Sequence, residues 1–450
     1  MILNTKISHK FIITIIALCL IIAALTGCSD SGANSRTKNN EFTGSSKELV
    51  IATIGSINYD YLVNKFNAEN ELGIKVRVED YRLGTTREAA IQRLNMELVS
   101  GKGPDLIDFE AFPYREIYSN QGFLENLAPI MEKEIVKDDF FILEKNKSDK
   151  IYFIPSSFSI ITCYGLSSVF QGQNSWSFDQ FQSLLTRYSY QFPTLESRID
   201  FLNNACISMI PNCVNWENST CSFNSKEFQD LLALTTMLEK TPSILDSTPQ
   251  ELLLSGSVPY LHTWIYSPLD IKEREEVLGS DLTYIGFPTA DGSSGSYVYL
   301  SMLTAINKSS TNKEYALEFI RFMLDDDFQR SVAANMILIK KSICDELIDE
   351  LQNPFAKYEG RDVEIHSDGS FTVDGVYMDQ IYDPTPLISD RQVDKFYGLI
   401  RNANTLYDYD PNIYSIIEQE TSRLFHNVYT VEETSEKIQN RVSIYVSEQS

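Results

Sequence analysis

Between residues 49 and 109 the hydrophobic period switches repeatedly between two and about 3.6, and this alternation constrains the fold more than any other feature. Leu49-Val-Ile-Ala-Thr-Ile54 is a short apolar run stopped by Gly55-Ser56, and Tyr61, Leu62, Lys65 and Phe66 follow at helical spacing. Ile74-Lys-Val-Arg-Val-Glu79 alternates as a strand does, after which Ala90, Ile91, Leu94 and Leu98 share a helical face ended by Gly101. Pro104 introduces a third short strand, Leu106-Ile-Asp-Phe109. Helices between short apolar strands act as crossovers, so the order β-α-β-α-β predicts a largely parallel α/β sheet.

A further unit contains a helix starting at Trp176-Ser-Phe-Asp-Gln-Phe181. Ser177 and Gln180 have capping-box spacing, and Trp176 and Phe181 occupy the two positions of a hydrophobic staple, which gives Trp176 a structural role. Cys213-Val-Asn-Trp216 and Cys221-Ser-Phe223 flank a polar turn and predict a hairpin, followed by a helix carrying Phe228, Leu231, Leu232 and Leu238. Thr283–Pro288 and Tyr297–Ile306 read as strands around the turn-rich Asp291-Gly-Ser-Ser-Gly295. Thr311 and Glu314 are spaced to box a helix bearing Phe319, Ile320 and Met323. A hairpin around Asp368-Gly369 and two closing helices, the last opened by a Thr430/Glu433 box, complete the chain.

The 450 residues suffice for two or three globular units, and 43% hydrophobic against 22% charged residues excludes a mostly disordered, collagen-like or coiled-coil chain. Lys and Arg total 38 against 62 Asp and Glu, and the resulting field of −24 opposes phosphate backbones, which argues against nucleic acid as a partner. Lys6 and Lys10 precede the apolar run Phe11–Leu25, the arrangement of a secretory signal over residues 1–27 and too short for a stable membrane span. Leu25-Thr26-Gly27-Cys28 resembles the lipobox of bacterial lipoproteins, which implies that Cys28 is lipidated and becomes the first mature residue. Residues 28–46 are polar with almost nothing to bury and read as a flexible tether, so the expected location is the extracellular face of the cell membrane.

The remaining body cysteines, Cys163, Cys206, Cys213, Cys221 and Cys344, include no C-x-x-C pair, and His262, His366 and His426 lack metal spacing. No metal and no cofactor is expected. Two states stay open for Cys206, Cys213 and Cys221: a bridge in an oxidising compartment, or buried free thiols. The sequence has no Gly-x-Ser-x-Gly elbow, Gly-x-x-x-x-Gly-Lys loop or His-Glu-x-x-His motif, so no catalytic residue is assigned and the chain is not read as an enzyme.

Ser100-Gly-Lys-Gly-Pro-Asp-Leu-Ile-Asp-Phe-Glu110 is similar to the Gly-x-x-Pro-Asp motif of the extracellular solute-binding proteins of ABC importers, family 1, the sugar-binding lipoprotein type. Gly122–Pro129, Lys150–Pro155, the Trp176 helix, Gly286–Gly292, the Asn312–Ile320 helix with Gln329 beyond it, and the closing helix Thr430–Val442 resemble the same family in the same order. The resemblance implies a two-lobed periplasmic-binding-protein-like α/β fold, each lobe a mostly parallel sheet flanked by helices and joined by hinge strands. Residues 47–155 plus 289–340 are expected to form lobe 1 and residues 156–288 plus 341–450 lobe 2, with crossings near Pro155–Ser159 and Pro288–Tyr297. Met336-Ile-Leu-Ile-Lys-Lys341 replaces the proline with which many relatives end the segment after the Asn312 helix, so the last crossing is expected to differ.

A sugar cleft needs flat apolar rings for C–H faces and carboxylates or amides that take paired hydroxyls. Trp264 has no staple role and lies where an aromatic side chain of the family often meets ligand; the alternative is packing at the hinge. Asp108 and Glu110 end a buried strand at its carboxyl end, where ligands bind in open α/β sheets, with a helix-capping role as the alternative. Ser56 and Tyr59 follow the first strand in the equivalent place. Trp216 either packs across its hairpin or meets ligand, and Tyr297 and Tyr299 alternate onto one face that either walls the cleft or joins the core. The expected function is capture of a mono- or oligosaccharide by a monomeric, membrane-tethered receptor that delivers it to an ABC transporter permease. Two alternatives stand beside it: a surface glycoside hydrolase, and a lipoprotein that reports ligand to a membrane sensor.

Overall fold

Glu48–Thr53 forms β1, buried from its second residue onward, and pairs in parallel on one side with β2 (Lys75–Asp80) and on the other with β3 (Leu106–Asp108). The crossovers are α1 (Tyr59–Glu69), which buries Tyr59, Leu62, Val63 and Phe66, and α2 (Arg87–Val99), whose N-cap Thr86 accepts from the Ala89 amide. The β-α-β-α-β order read from the sequence is thus the order observed. Residues described in this computed structural model are 47–55, 59–110, 112, 115–134, 139–141, 150–187, 194–216, 218–238, 247–333, 336–381, 385–403 and 405–448. The leader, the tether, Cys28 and Ser56 lie outside them. Among the described residues no helix is long and apolar enough to cross a membrane.

The second sheet is built around β4 (Ser157–Leu166), a strand with nine of its ten residues buried. Its partners on one side are β9 (Tyr297–Ser301) and β8 (Leu282–Tyr284), and on the other β11 (Ile337–Leu338) and β7 (Leu261–Ile265). All four pairings are antiparallel, and only β15 (Thr405–Leu406), beside β9, runs parallel. The parallel expectation therefore holds for β1, β2 and β3 of the first sheet and not for the second, where every direct partner of β4 runs against it. Phe158, Ile160 and Tyr164 enter one hydrophobic cluster and Ile161 and Cys163 another, so β4 is covered on both faces.

The chain passes from the first sheet to the second at Ile154–Ser157: Ile154 bridges Thr304, and Ser157 begins β4. The return differs. Tyr297–Ser301 is held by β4 as a continuous ladder, Ile161↔Tyr297 to Ser157↔Ser301, so the strand expected to leave at Pro288–Tyr297 stays in the second sheet. It leaves at Met302, which adopts a left-handed φ of 49°, and continues as β10 (Thr304–Ile306) antiparallel to β3. The helix Lys313–Met323 then packs on the first sheet, setting Phe319 against Phe66 at 5.2 Å. The following Asp326–Val332 helix leads to β11, which rejoins β4.

Short-range readings are met at two helix starts and missed at a third. Gln180 and Ser177 exchange hydrogen bonds of 2.7 and 3.2 Å, and the rings of Trp176 and Phe181 lie 5.0 Å apart. Thr430 and Glu433 exchange theirs at 2.9 and 3.1 Å. Thr311 and Glu314 form no box; the helix is capped by Asn312, whose side chain turns to Asp105 at 3.3 Å instead. The hairpin β5 (Val214–Asn215)/β6 (Thr220–Cys221) is present, and β13 (Ser370–Val373) sits centrally in a three-stranded sheet with β12 (Val363–Ile365) and β14 (Val376–Ile381). Gly286 bridges Gly295, where a Cβ would stand 1.9 Å from the Phe287 carbonyl oxygen, so only glycine fits. All five body cysteines are free thiols; Cys221 is half-buried and the others are buried.

Candidate functional site

The carboxyl end of β3 delivers two acids to the space facing the second sheet, while Phe109 between them turns away into a ring cluster with Phe112, Tyr118 and Phe153. Asp108 is buried; its Oδ1 accepts from the Glu110 amide at 3.0 Å and from the Tyr59 hydroxyl at 3.3 Å. Tyr59 is itself fully buried, with Thr304 Oγ1 at 2.8 Å, and burial reinforced by the Asp108 charge holds its hydroxyl far above the usual phenol range. These two residues thus lie beneath the surface as braces between α1, β3 and β10. Glu110 reaches the surface. Its two oxygens accept from the Tyr299 hydroxyl at 3.2 Å and the Met302 amide at 2.7 Å.

Opposite stands a line of rings from the second sheet and the segment after it. Tyr266 stacks on Trp264 at 6.0 Å, Trp264 meets Tyr299 edge-on at 5.4 Å, Tyr299 meets Tyr407 at 5.4 Å, and Tyr407 stacks on Tyr409 at 6.3 Å. Register explains the first contacts, because Trp264 and Tyr297 both pair with Ile161 and Tyr299 pairs with Ser159, which sets all three on one face. Tyr297 and Tyr299 share that face but not a role: Tyr297 is buried at the base, stacked between Phe287 and Tyr407, and donates to Asn204. Trp264 and Tyr299 are half-buried. Burial raises the Tyr299 hydroxyl well above its ordinary value, Glu110 adding to the effect, and raises Tyr407 to about 12, so both are proton donors at neutral pH.

Sequence reasoning missed Tyr266, Tyr407 and Tyr409. The signal available was the Tyr407-Asp-Tyr-Asp410 alternation, a strand-like period ending at the Pro411 helix start. It also missed Arg115 at the start of the Arg115–Asn120 helix, whose guanidinium donates to the Tyr407 carbonyl at 3.4 Å and so ties the first sheet's edge to the ring wall. Trp216 belongs elsewhere: it packs edge-on against Tyr445 at 6.2 Å, on the hairpin facing the closing helix Val431–Glu448. Among the described residues no three His, Cys, Asp or Glu side chains gather as a metal site.

A cavity of about 580 Å³ lies beyond β7, lined among others by Tyr164, Glu196, Tyr260, His262 and Arg274, and it includes none of the wall's rings. Burial pushes Glu196 up to about 7, against an opposing hydrogen bond from Asn204, and lowers His262. Cys163 is the cross-strand partner of His262. Its thiol is fully buried and held well above its usual value by burial and by the Glu196 charge, so it stays protonated and is a poor nucleophile.

Residues 55–330 match the family model of the bacterial extracellular solute-binding proteins. The chain is a member of that family. No curated protein matches its sequence. Three solved structures similar to this solute-binding protein are an oligogalacturonide-binding protein from Yersinia enterocolitica (15% identity, TM-score 0.57, covering 89% of this chain and 99% of the other), the sugar-binding protein MalE from Xanthomonas citri (12%, 0.57, 89% and 98%), and an ABC transporter solute-binding protein from Thermotoga lettingae bound with α-D-tagatose (14%, 0.52, 89% and 100%). The fold is therefore the two-lobed α/β fold of periplasmic binding proteins. In this solute-binding protein the carboxyl edge of the first sheet meets the ring wall of the second, through Glu110 with the Tyr299 hydroxyl and Arg115 with the Tyr407 carbonyl.

Proposed function

We propose that this solute-binding protein captures a mono- or oligosaccharide between Glu110 and the ring wall Trp264–Tyr299–Tyr407, and hands it to an ABC permease. The observation that carries the reading is the combination of half-buried rings in edge-on and tilted contact with a surface carboxylate that already accepts hydroxyl and amide hydrogens. Ring faces take the apolar C–H faces of a pyranose, and carboxylate and phenol groups take its hydroxyls. Sugar ligands named for relatives of the same fold support the class. The lobes divide at Ile154–Ser157 and Met302, and ligand shifts them toward closure by binding the closed form more tightly. Cys28 carries the lipid that holds the monomeric receptor at the outer face of the membrane, with residues 28–46 as its tether.

A thermal-shift screen of the mature protein against neutral sugars, uronates, peptides, polyamines and metal ions tests this. A ligand at about 100 times its Kd stabilises by about 2.7 kcal/mol. Hits confined to peptides or cations overturn the sugar reading, and release of cleaved product from an oligosaccharide overturns the receptor reading in favour of a hydrolase.

A further inference from the structure

Met302 and Leu303 carry the returning chain from β9 to β10, and Met302 does so in the left-handed region, at φ 49°, where a non-glycine residue is strained. Its side chain is buried, so the turn is not adapted for solvent. What holds it is its amide, which donates to Glu110 Oε2 at 2.7 Å; the other oxygen of the same carboxylate accepts from Tyr299 at 3.2 Å. Glu110 comes from the end of β3 in the first sheet, Tyr299 from β9 in the second, and Met302 joins them. A hydrogen bond from either donor stabilises the carboxylate in one orientation, and losing one loosens the geometry available to the other.

We propose that Glu110 is a positioning residue that couples the ring wall to the hinge, so that movement of Tyr299 on ligand contact changes the stability of the Met302 turn. Only the ligand-dependent part rests on the receptor reading. Tyr299 touches Trp264 and Tyr407, and the Glu110 carboxylate links its hydroxyl to the Met302 amide. The coupling is therefore visible without any ligand.

The test is amide hydrogen exchange on the full mature chain, read at the segment holding Met302, in wild type, Tyr299→Phe, Glu110→Gln and Glu110→Ala. Tyr299→Phe, which deletes a single hydroxyl, should speed Met302 exchange by about threefold, and Glu110→Ala by about tenfold or more. Glu110→Gln should fall between, since its oxygen still accepts from Met302 and its amide can donate to the Tyr299 oxygen. Unchanged Met302 exchange in Tyr299→Phe overturns the coupling, even where Glu110→Ala is too unstable to read. A second arm adds maltotetraose or trigalacturonate at saturating concentration. Added protection at Met302 that Tyr299→Phe loses supports the coupling, and ligand that binds with no change at Met302 overturns it. Absence of binding by both sugars counts against the sugar reading alone, because the ligand-free comparison decides the coupling.

Discussion

Trp264 and Trp176 make opposite demands on an alanine substitution. Trp264 is half-buried, touches two rings and packs against the rim of the core, while its carbonyl, which alanine retains, accepts from Arg274 at 3.0 Å. Its loss removes two ring pairs, about 1 to 3 kcal/mol of stability in all. If it is a ligand anchor, truncation weakens binding by more than about 2 kcal/mol, roughly thirtyfold. Trp176 is 1% exposed, lies within 5.0 to 5.6 Å of the rings of Phe181, Phe170 and Tyr260, and donates its indole N–H to the Gly286 carbonyl at 2.9 Å. Removing such a side chain costs about 3 to 5 kcal/mol, with the stranded carbonyl adding to it. Trp176→Phe is the milder form and should destabilise while leaving affinity within about twofold. Calorimetric titration with the best ligand of the screen, paired with urea denaturation, separates the two. Normal affinity in Trp264→Ala, or a stability loss there equal to that of Trp176→Ala, refutes the assignment of Trp264 to the cleft.

Glu196 binds a proton more tightly folded (about 7) than unfolded (4.5), so it adds stability that is present at low pH and lost as pH rises through that window; Glu196→Gln should exceed wild type by roughly 3 kcal/mol above pH 7 and match it near pH 4.5, in denaturation curves taken across the range. His262, lowered by burial, works in the opposite sense and lies 3.7 Å from Glu196, so the carboxyl's contribution is read above pH 7, where the imidazole is neutral. Gly295→Ala forces a Cβ to within 1.9 Å of the Phe287 carbonyl oxygen and should leave little soluble protein, whereas Gly172→Ala, with nothing within 4 Å, should cost only about 1 kcal/mol for its positive φ. Cys28→Ala should move the protein from the membrane to the soluble fraction on cell fractionation, and unchanged retention removes the anchor.

What was legible in the sequence was what neighbouring residues decide. The first sheet announces itself because each strand and crossover carries its own period, and the Trp176 staple because its partners lie five residues apart. The Thr311 box failed when a distant side chain, Asp105, took Asn312. The second crossing was misplaced for a related reason: nothing local to Tyr297–Ser301 tells that β4 captures all of it. At the candidate site, Glu110 was named from a strand end, Tyr299 from alternation and Trp264 from the family resemblance, and the structure brings these three side chains together while Asp108 stays beneath the surface. Tyr407 and Tyr409 were not named, since their alternation spans only four residues and it is the parallel pairing of Thr405 with Tyr297 that brings them to the wall.

The position of β4 also dictates an order of assembly. Its partners begin at Leu261, Leu282, Tyr297 and Ile337, while the first sheet receives its last strand only at Thr304. A growing or truncated chain that ends near residue 300 therefore has neither sheet complete, and β4 would present an unpaired apolar edge. Pairings this distant in sequence form slowly and expose such edges to aggregation meanwhile. Refolding yield should then rise steeply only once the chain extends past β11, and the slow step should lie in closing the ladder between Ser157 and Leu338.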